Sequence, residues 1–229
     1  MAGPVVSVAL REPLSDVEID ELGEWLRAIG DVERVERNPH GGLLGIANWD
    51  LRVTDLVAIA IGQPSAYGRS GTRPVLVGVH PTRDPSGLLY EHEVDEVAQW
   101  VAQVGYFPEH AIVLSAMCNR PIDHRILGQM ALHLAERYGC IINLSGPFYP
   151  PRDVAGLPLW QQPAPPREGG TDADPLWVDP RIQPFVYRGP GRIFEFRYMA
   201  GEDRPWYSNA ADVDAFRAAL DDPRFRLIK

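Results

Sequence analysis

Two cysteines in 229 residues are too few for a disulfide framework, and they stand 22 positions apart, at Cys118 and Cys140. Long apolar runs are missing too: nothing approaches the roughly 20 residues of a membrane-crossing helix. The opening "MAGPVVSVALREP" has no basic stretch leading into a long apolar core, so no leader is expected. Cationic surplus is also lacking. Lys and Arg number 22 against 31 Asp and Glu, a net charge of −9, which argues against a nucleic-acid binder. No C-x-x-C, G-x-x-x-x-G-K, G-x-G-x-x-G or H-E-x-x-H motif occurs. The six histidines (His40, His80, His92, His110, His124, His133) include no i, i+4 pair on one helix and no cysteine cluster beside them. Ligand number and spacing therefore give no metal site, and no cofactor is expected. These absences together predict a cytoplasmic protein that binds neither membrane nor nucleic acid.

What is present is an alternation of strand and helix signals. "PVVSVAL" (4–10) reads as a buried strand. In "PLSDVEIDELGEWLRAIGD", Ser15 and Glu18 form a capping box and Leu14 and Ile19 stand at staple spacing. Ile19, Leu22, Leu26 and Ile29 then recur at helical spacing until Gly30. Strands are expected at 41–53 and, from a run of β-branched residues, at 73–80. A second helix is expected at 90–105, with Val94, Val97, Val101 and Val104 inward, and a strand at 111–117. The order β-α-β-β-α-β predicts an α+β, ferredoxin-like first half: an antiparallel sheet with both helices on one face.

Asp123 reads as the N-cap of a further helix, 124–138, which Gly139 ends before a strand at 140–144. The segment 147–190 holds 11 of the 22 prolines and many aromatic residues, too many for a plain linker. An alternating strand at 192–200, a helix carrying Val213, Phe216 and Leu220 inward, and a short last strand close the chain. The whole, 1–229, is expected to be one domain: a ferredoxin-like core with an added helix and strand (1–146), a Pro-rich excursion (147–190) and a strand-helix-strand closing segment (191–229).

Three groups of residues are candidates for function. Cys118 follows a strand and precedes a helix start, with Asp123 and His124 close in sequence. That could make a nucleophile with its base, although a small buried thiol at a strand end explains Cys118 as well. Residues 12–36 carry nine carboxylates against two arginines, and residues 91–96 add four more. If both helices share one sheet face, Asp20, Glu21, Glu24, Asp95 and Glu96 gather charge that would steer a basic partner. Carboxylates also favour first helical turns for dipole reasons alone. Trp160, Trp177, Trp206 and Tyr207 are candidates for an aromatic binding patch, or for cover over the core.

The stretches "CNRPIDHRILGQMALHLAERYGCIINLSG" and "RPWYSNAADVDAFRAALDDPRFRLIK" resemble an uncharacterised family of small actinobacterial proteins. There, a Cys-Asn element precedes an Asp-His helix entry and the chain closes on Phe-x-Leu-Val-Lys; here Ile228 stands in the Val position. The family brings no activity with it, and its style is similar to that of immunity proteins of bacterial toxin systems. The leading expectation is a non-enzymatic binding protein, an immunity protein that neutralises a basic toxin. The alternatives are a hydrolase using Cys118 and His124, and a small-molecule-binding regulatory domain.

Overall fold

A computed structural model describes residues 3–38, 45–54, 72–83, 94–144, 160–161, 186–187, 189–198, 206–222 and 225–227. Its centre is an antiparallel sheet of eight strands. In chain order the elements are β1 (Val5–Leu10), α1 (Asp16–Ile29), β2 (Gly30–Arg37), β3 (Ala47–Thr54), β4 (Thr72–Pro81), α2 (Val94–Val104), β5 (His110–Ala116), α3 (Pro121–Tyr138) and β6 (Ile141–Asn143). A two-stranded pair, β7 (Trp160–Gln161) with β8 (Val186–Tyr187), follows, and β9 (Ile193–Tyr198), β10 (Trp206–Ala211) and α4 (Val213–Leu220) complete the described chain. Across the large sheet the order is β2-β3-β4-β5-β1-β6-β10-β9.

Alternation along the strands sends side chains to two separate cores. Val6, Val8 and Leu10 of β1, Trp49 and Leu51 of β3, and Ile112 and Leu114 of β5 meet α1, α3 and α4 on one face. The out-of-phase residues Ala9, Ile141, Phe194, Phe196 and Ala210 meet Val97, Trp100 and Val104 of α2 on the other. A strand position has two sides, so a shift of one residue changes the partner layer.

The ferredoxin-like order therefore needs correction. That order would set β4 directly beside β1, with β5 on the far side of β1. Here β5 lies between them, pairing with β4 and β1, and β6 takes the other flank of β1. The two acidic helices also do not share a face. The α1 face is already filled by α3 and α4, whereas Trp100 of α2 stacks on Phe196 of β9 at 4.5 Å and 7° across the other face. Offset aromatic stacking of this kind adds to the burial of both rings. Trp100 is the anchor of α2, and Val101, expected inward, is 49% exposed.

Local chemistry explains the ends of α1. The Ser15 backbone N–H donates to Glu18 Oε2 at 2.8 Å and the Glu18 N–H to Ser15 Oγ at 3.3 Å, the reciprocal capping box. Gly30 ends the helix without a left-handed turn. Its backbone is extended and leads straight into β2, and a Cβ there would lie 2.3 Å from the Arg52 carbonyl oxygen. Close approach to β3 is what requires glycine.

The C-terminal elements fasten to α3. Arg125 donates to the carbonyls of Leu220 and Asp222 at 2.5 and 2.6 Å. Gly128 leaves room for Leu220 and Phe225, and Phe225 packs edge-on against Phe216 at 5.6 Å. The expected closing strand is absent over Phe225–Leu227, where the Leu227 N–H bonds to a side chain of α3 instead of a strand neighbour. Most of the 147–190 excursion lies outside the described residues.

Candidate functional site

The Cys118–His124 region is built from the end of β5 and the entry to α3. The helix begins earlier than Asp123: Pro121 opens it, and Asp123 sits in its first turn. The Asp123 carboxylate reaches back to accept the Arg120 N–H at 2.7 Å, and its other oxygen faces Arg73 Nε at 3.7 Å. His124 is buried and held at both ring nitrogens. Nδ1 accepts the Leu227 N–H at 2.9 Å, which assigns the ring proton to Nε2, 3.0 Å from Asn119 Oδ1. A general base needs a free lone pair directed at its proton donor. That of His124 is committed to the C-terminal backbone. Cys118 is partly exposed and unbridged, and Cys140 is buried with its thiol pushed upward in pKa by desolvation. Among the described residues no cluster of three or more His, Cys, Asp or Glu has metal-binding geometry.

The acidic residues of α1 are largely engaged. Asp20 pairs with Arg37 of β2, Glu21 with Arg137 of α3, and Glu18 with the Ser15 cap. The Ser15 hydrogen bonds hold the Glu18 carboxyl below its usual pKa. Glu24 is exposed. Asp95 and Glu96 lie on α2, on the opposite side of the sheet, and their side chains are outside the described set. Trp177 is also outside it. Trp160, Trp206 and Tyr207 are placed only as backbone positions: Trp160 pairs with Tyr187, Trp206 with Tyr198 and Tyr207 with Arg197. Neither of the two sequence-based patches is assembled among the described residues.

A different surface stands out. Because α2 packs on the β1–β6–β10–β9 half of its face, no described helix covers that same face of β2, β3, β4 and β5. The register lays its side chains in rows. Glu36, Asn48, Gly78 and Val113 are cross-strand neighbours, and so are Arg34, Asp50, Leu76 and Ser115. All of these except Arg34 line an open concavity of about 320 Å³. Leu76 is 40% exposed at its middle. Its floor dips at Gly78, where a Cβ would stand 2.4 Å from His80 Nε2 and 2.7 Å from Asn48 Oδ1. Burial lowers the His80 pKa, so the ring is neutral near pH 7. Aliphatic floor, amide, imidazole and the carboxylates of Asp50 and Glu36 thus meet at one place.

Sequence reasoning passed over this surface. The alternation of "ANWDLRV" already puts Asn48, Asp50 and Arg52 on one side, but "VLVGVH" is apolar on both sides and reads as buried throughout. It is central in the sheet, yet only one of its faces has a described helix over it.

The fold and surface define an α+β protein: a broad antiparallel sheet with four described helices, three on one face and one on the other, and half of that second face bare of any described helix. Over residues 2–229 the chain matches the model of the family of unknown function DUF6368, and it belongs to that family. No curated protein and no solved structure matches it.

Proposed function

We propose that the protein is a non-enzymatic binding protein that takes a basic protein partner onto the open half of its sheet. The observation that carries this reading is Leu76, held 40% exposed between Asp50 and Ser115 over the concavity. An exposed aliphatic centre beside the Asp50 carboxylate suits the stem and head of a Lys or Arg side chain. The net charge of −9 favours encounter with a cationic surface. An immunity protein that occludes the basic cleft of a toxin is the narrower form of this reading, and it draws on the same charge balance. The hydrolase alternative draws no support from His124, whose acceptor nitrogen is engaged.

The test begins with crosslinked capture of the partner in native cells, followed by binding kinetics with that partner purified. Leu76→Arg should abolish binding, and Asp50→Lys should slow association most at low ionic strength. Cys118→Ala should bind as the parent does. A partner that binds Leu76→Arg and Asp50→Lys at the parental rate and affinity would place the interface elsewhere.

A further inference from the structure

We infer that the edge of β2, unpaired among the described residues, is a self-pairing edge, through which two copies of the chain form an antiparallel, two-fold dimer.

β2 is the terminal strand of the sheet, and Glu33 to Arg37 are all exposed. The direction of its backbone follows from one bond. The Asn38 N–H donates to the Ile46 carbonyl at 2.7 Å beside the pair Arg37↔Ala47. In an antiparallel ladder, bonded and non-bonded pairs alternate. Glu36 therefore directs its backbone groups toward β3, whereas Val35 and Arg37 direct theirs outward. Val35 thus presents one N–H and one C=O to a neighbouring chain.

The side chains match the same arrangement. With Val35 on the two-fold axis, Val35 meets Val35 of the second copy, Arg34 meets Glu36, and Glu36 meets Arg34. Arg34 and Glu36 already pair within the chain. Two copies would close them into a square of alternating charge. Val35 is opposite Trp49 in the register, so its side chain is on the face that carries α1, and it is 43% exposed. Two such side chains would cover each other across the axis.

Neighbouring registers fail on charge. An axis through Arg34 sets guanidinium against guanidinium, and an axis through Glu36 sets carboxylate against carboxylate. Registers between residues oppose a residue facing one side with one facing the other, which the pleat forbids. Charged edges commonly guard sheets against pairing. That guard works where like charges meet, and the sequence Arg-Val-Glu about a central valine brings unlike ones together. A two-fold contact of this type closes on itself, leaving the dissimilar β9 at the outer edges. It would also set two open concavities side by side, each bordered by Glu36.

Sedimentation equilibrium over a wide concentration range tests this on the full chain. The parent should show a concentration-dependent monomer–dimer equilibrium. Val35→Pro removes an outward N–H that β3 does not use, so it should abolish dimerisation with the circular dichroism spectrum retained. Glu36→Arg places guanidinium against guanidinium twice and should raise the dimer Kd at least tenfold. Arg34→Glu combined with Glu36→Arg restores the alternating square and should recover the dimer, which a purely structural defect would not do. A parent that remains monomeric at its highest soluble concentration overturns the inference. So does a charge-swapped variant that dimerises no better than Glu36→Arg.

Discussion

Gly128, in the middle of α3, sets two opposing physical effects against each other. Replacing it with alanine should stabilise the helix by about 1 kcal/mol, because glycine is the poorer helix former by that amount. The added Cβ, however, would sit 2.7 Å from Leu220 Cδ1 and 2.9 Å from Phe225 Cε1. Ordinary carbon contacts begin near 3.5 Å, so the methyl is too close by roughly 0.6–0.8 Å on two sides. Neither neighbour can swing into solvent. Leu220 is buried under α3, and the Phe225 ring is buried and fixed edge-on to Phe216. Overpacking of this kind costs about 1–3 kcal/mol, so packing wins and the net loss should be about 1 kcal/mol.

Urea unfolding followed by tryptophan fluorescence reads this as a lower midpoint at constant slope. The same substitution placed in a Leu220→Ala background should lose most of its penalty, because the methyl then enters vacated space. The coupling between the two sites should reach about 1 kcal/mol, as expected of residues in contact. If Gly128→Ala stabilises by its full helix preference, or if its penalty is the same with and without Leu220, then α3 and α4 do not meet as closely as described.

Three further outcomes follow from the same packing. Trp100→Ala should destabilise by about 3–5 kcal/mol, whereas Val101→Ala, one residue on and exposed, should stay within about 0.5 kcal/mol in the same unfolding assay. His124→Ala strands the buried Leu227 N–H and should cost about 2 kcal/mol more than His124→Asn, whose amide oxygen can replace Nδ1; hydrogen exchange at Leu227 reads the difference. Burial lowers the pKa of His80 and of His110, the latter against a weaker opposing pull from Glu109. The unfolded chain therefore takes up these protons first. Their contribution is intact above about pH 6.5 and is lost as pH falls from there toward the lower folded values, at up to about 1.4 kcal/mol per pH unit per histidine. His110→Leu should flatten the unfolding midpoint between pH 7.5 and 5.5, and an unchanged slope would refute the assignment.

Elements with their own local chemistry were legible in the sequence. The Ser15–Glu18 box, the left-handed Gly139 and the buried faces of α3 and α4 are each set within a few residues, and each stands where the pattern puts it. β2 was not legible. "GDVERVER" is a two-sided polar edge, so it lacks the apolar alternation by which strands are recognised. β10 was hidden for a related reason, since "WYSNAA" mixes small and polar residues and runs directly into a helix. The strand order could not be read because it depends on which face receives α2. That is decided by the meeting of Trp100 with the distant Phe194 and Phe196, not by α2 alone. The open surface on β3 and β4 was missed because an apolar strand reads alike whether one face or both are covered. The two stretches that carry the family resemblance prove to be one packed unit, joined by Arg125, Gly128 and His124. Much of their resemblance is thereby accounted for as architecture.

The carboxylates of α1 brace the helix against its neighbours. Asp20 and Glu21 point outward, which alone would make them part of a steering field. Their partners argue for a different use. Arg37 belongs to β2 and Arg137 to α3, so each pair ties α1 to a neighbouring element. An opposite charge in direct contact cancels most of the field of a carboxylate beyond a Debye length, about 8 Å at physiological salt. Reversal of either residue to Lys should therefore act on stability. Each exposed pair contributes up to about 1 kcal/mol, with some repulsion added on reversal, so Asp20→Lys with Glu21→Lys should cost about 1–3 kcal/mol, and less at high salt. Association with a basic partner should change far less than it does on Asp50→Lys. If instead the double reversal leaves stability alone and slows association by more than Asp50→Lys does, the acidic helix is the steering surface and the open sheet face is not.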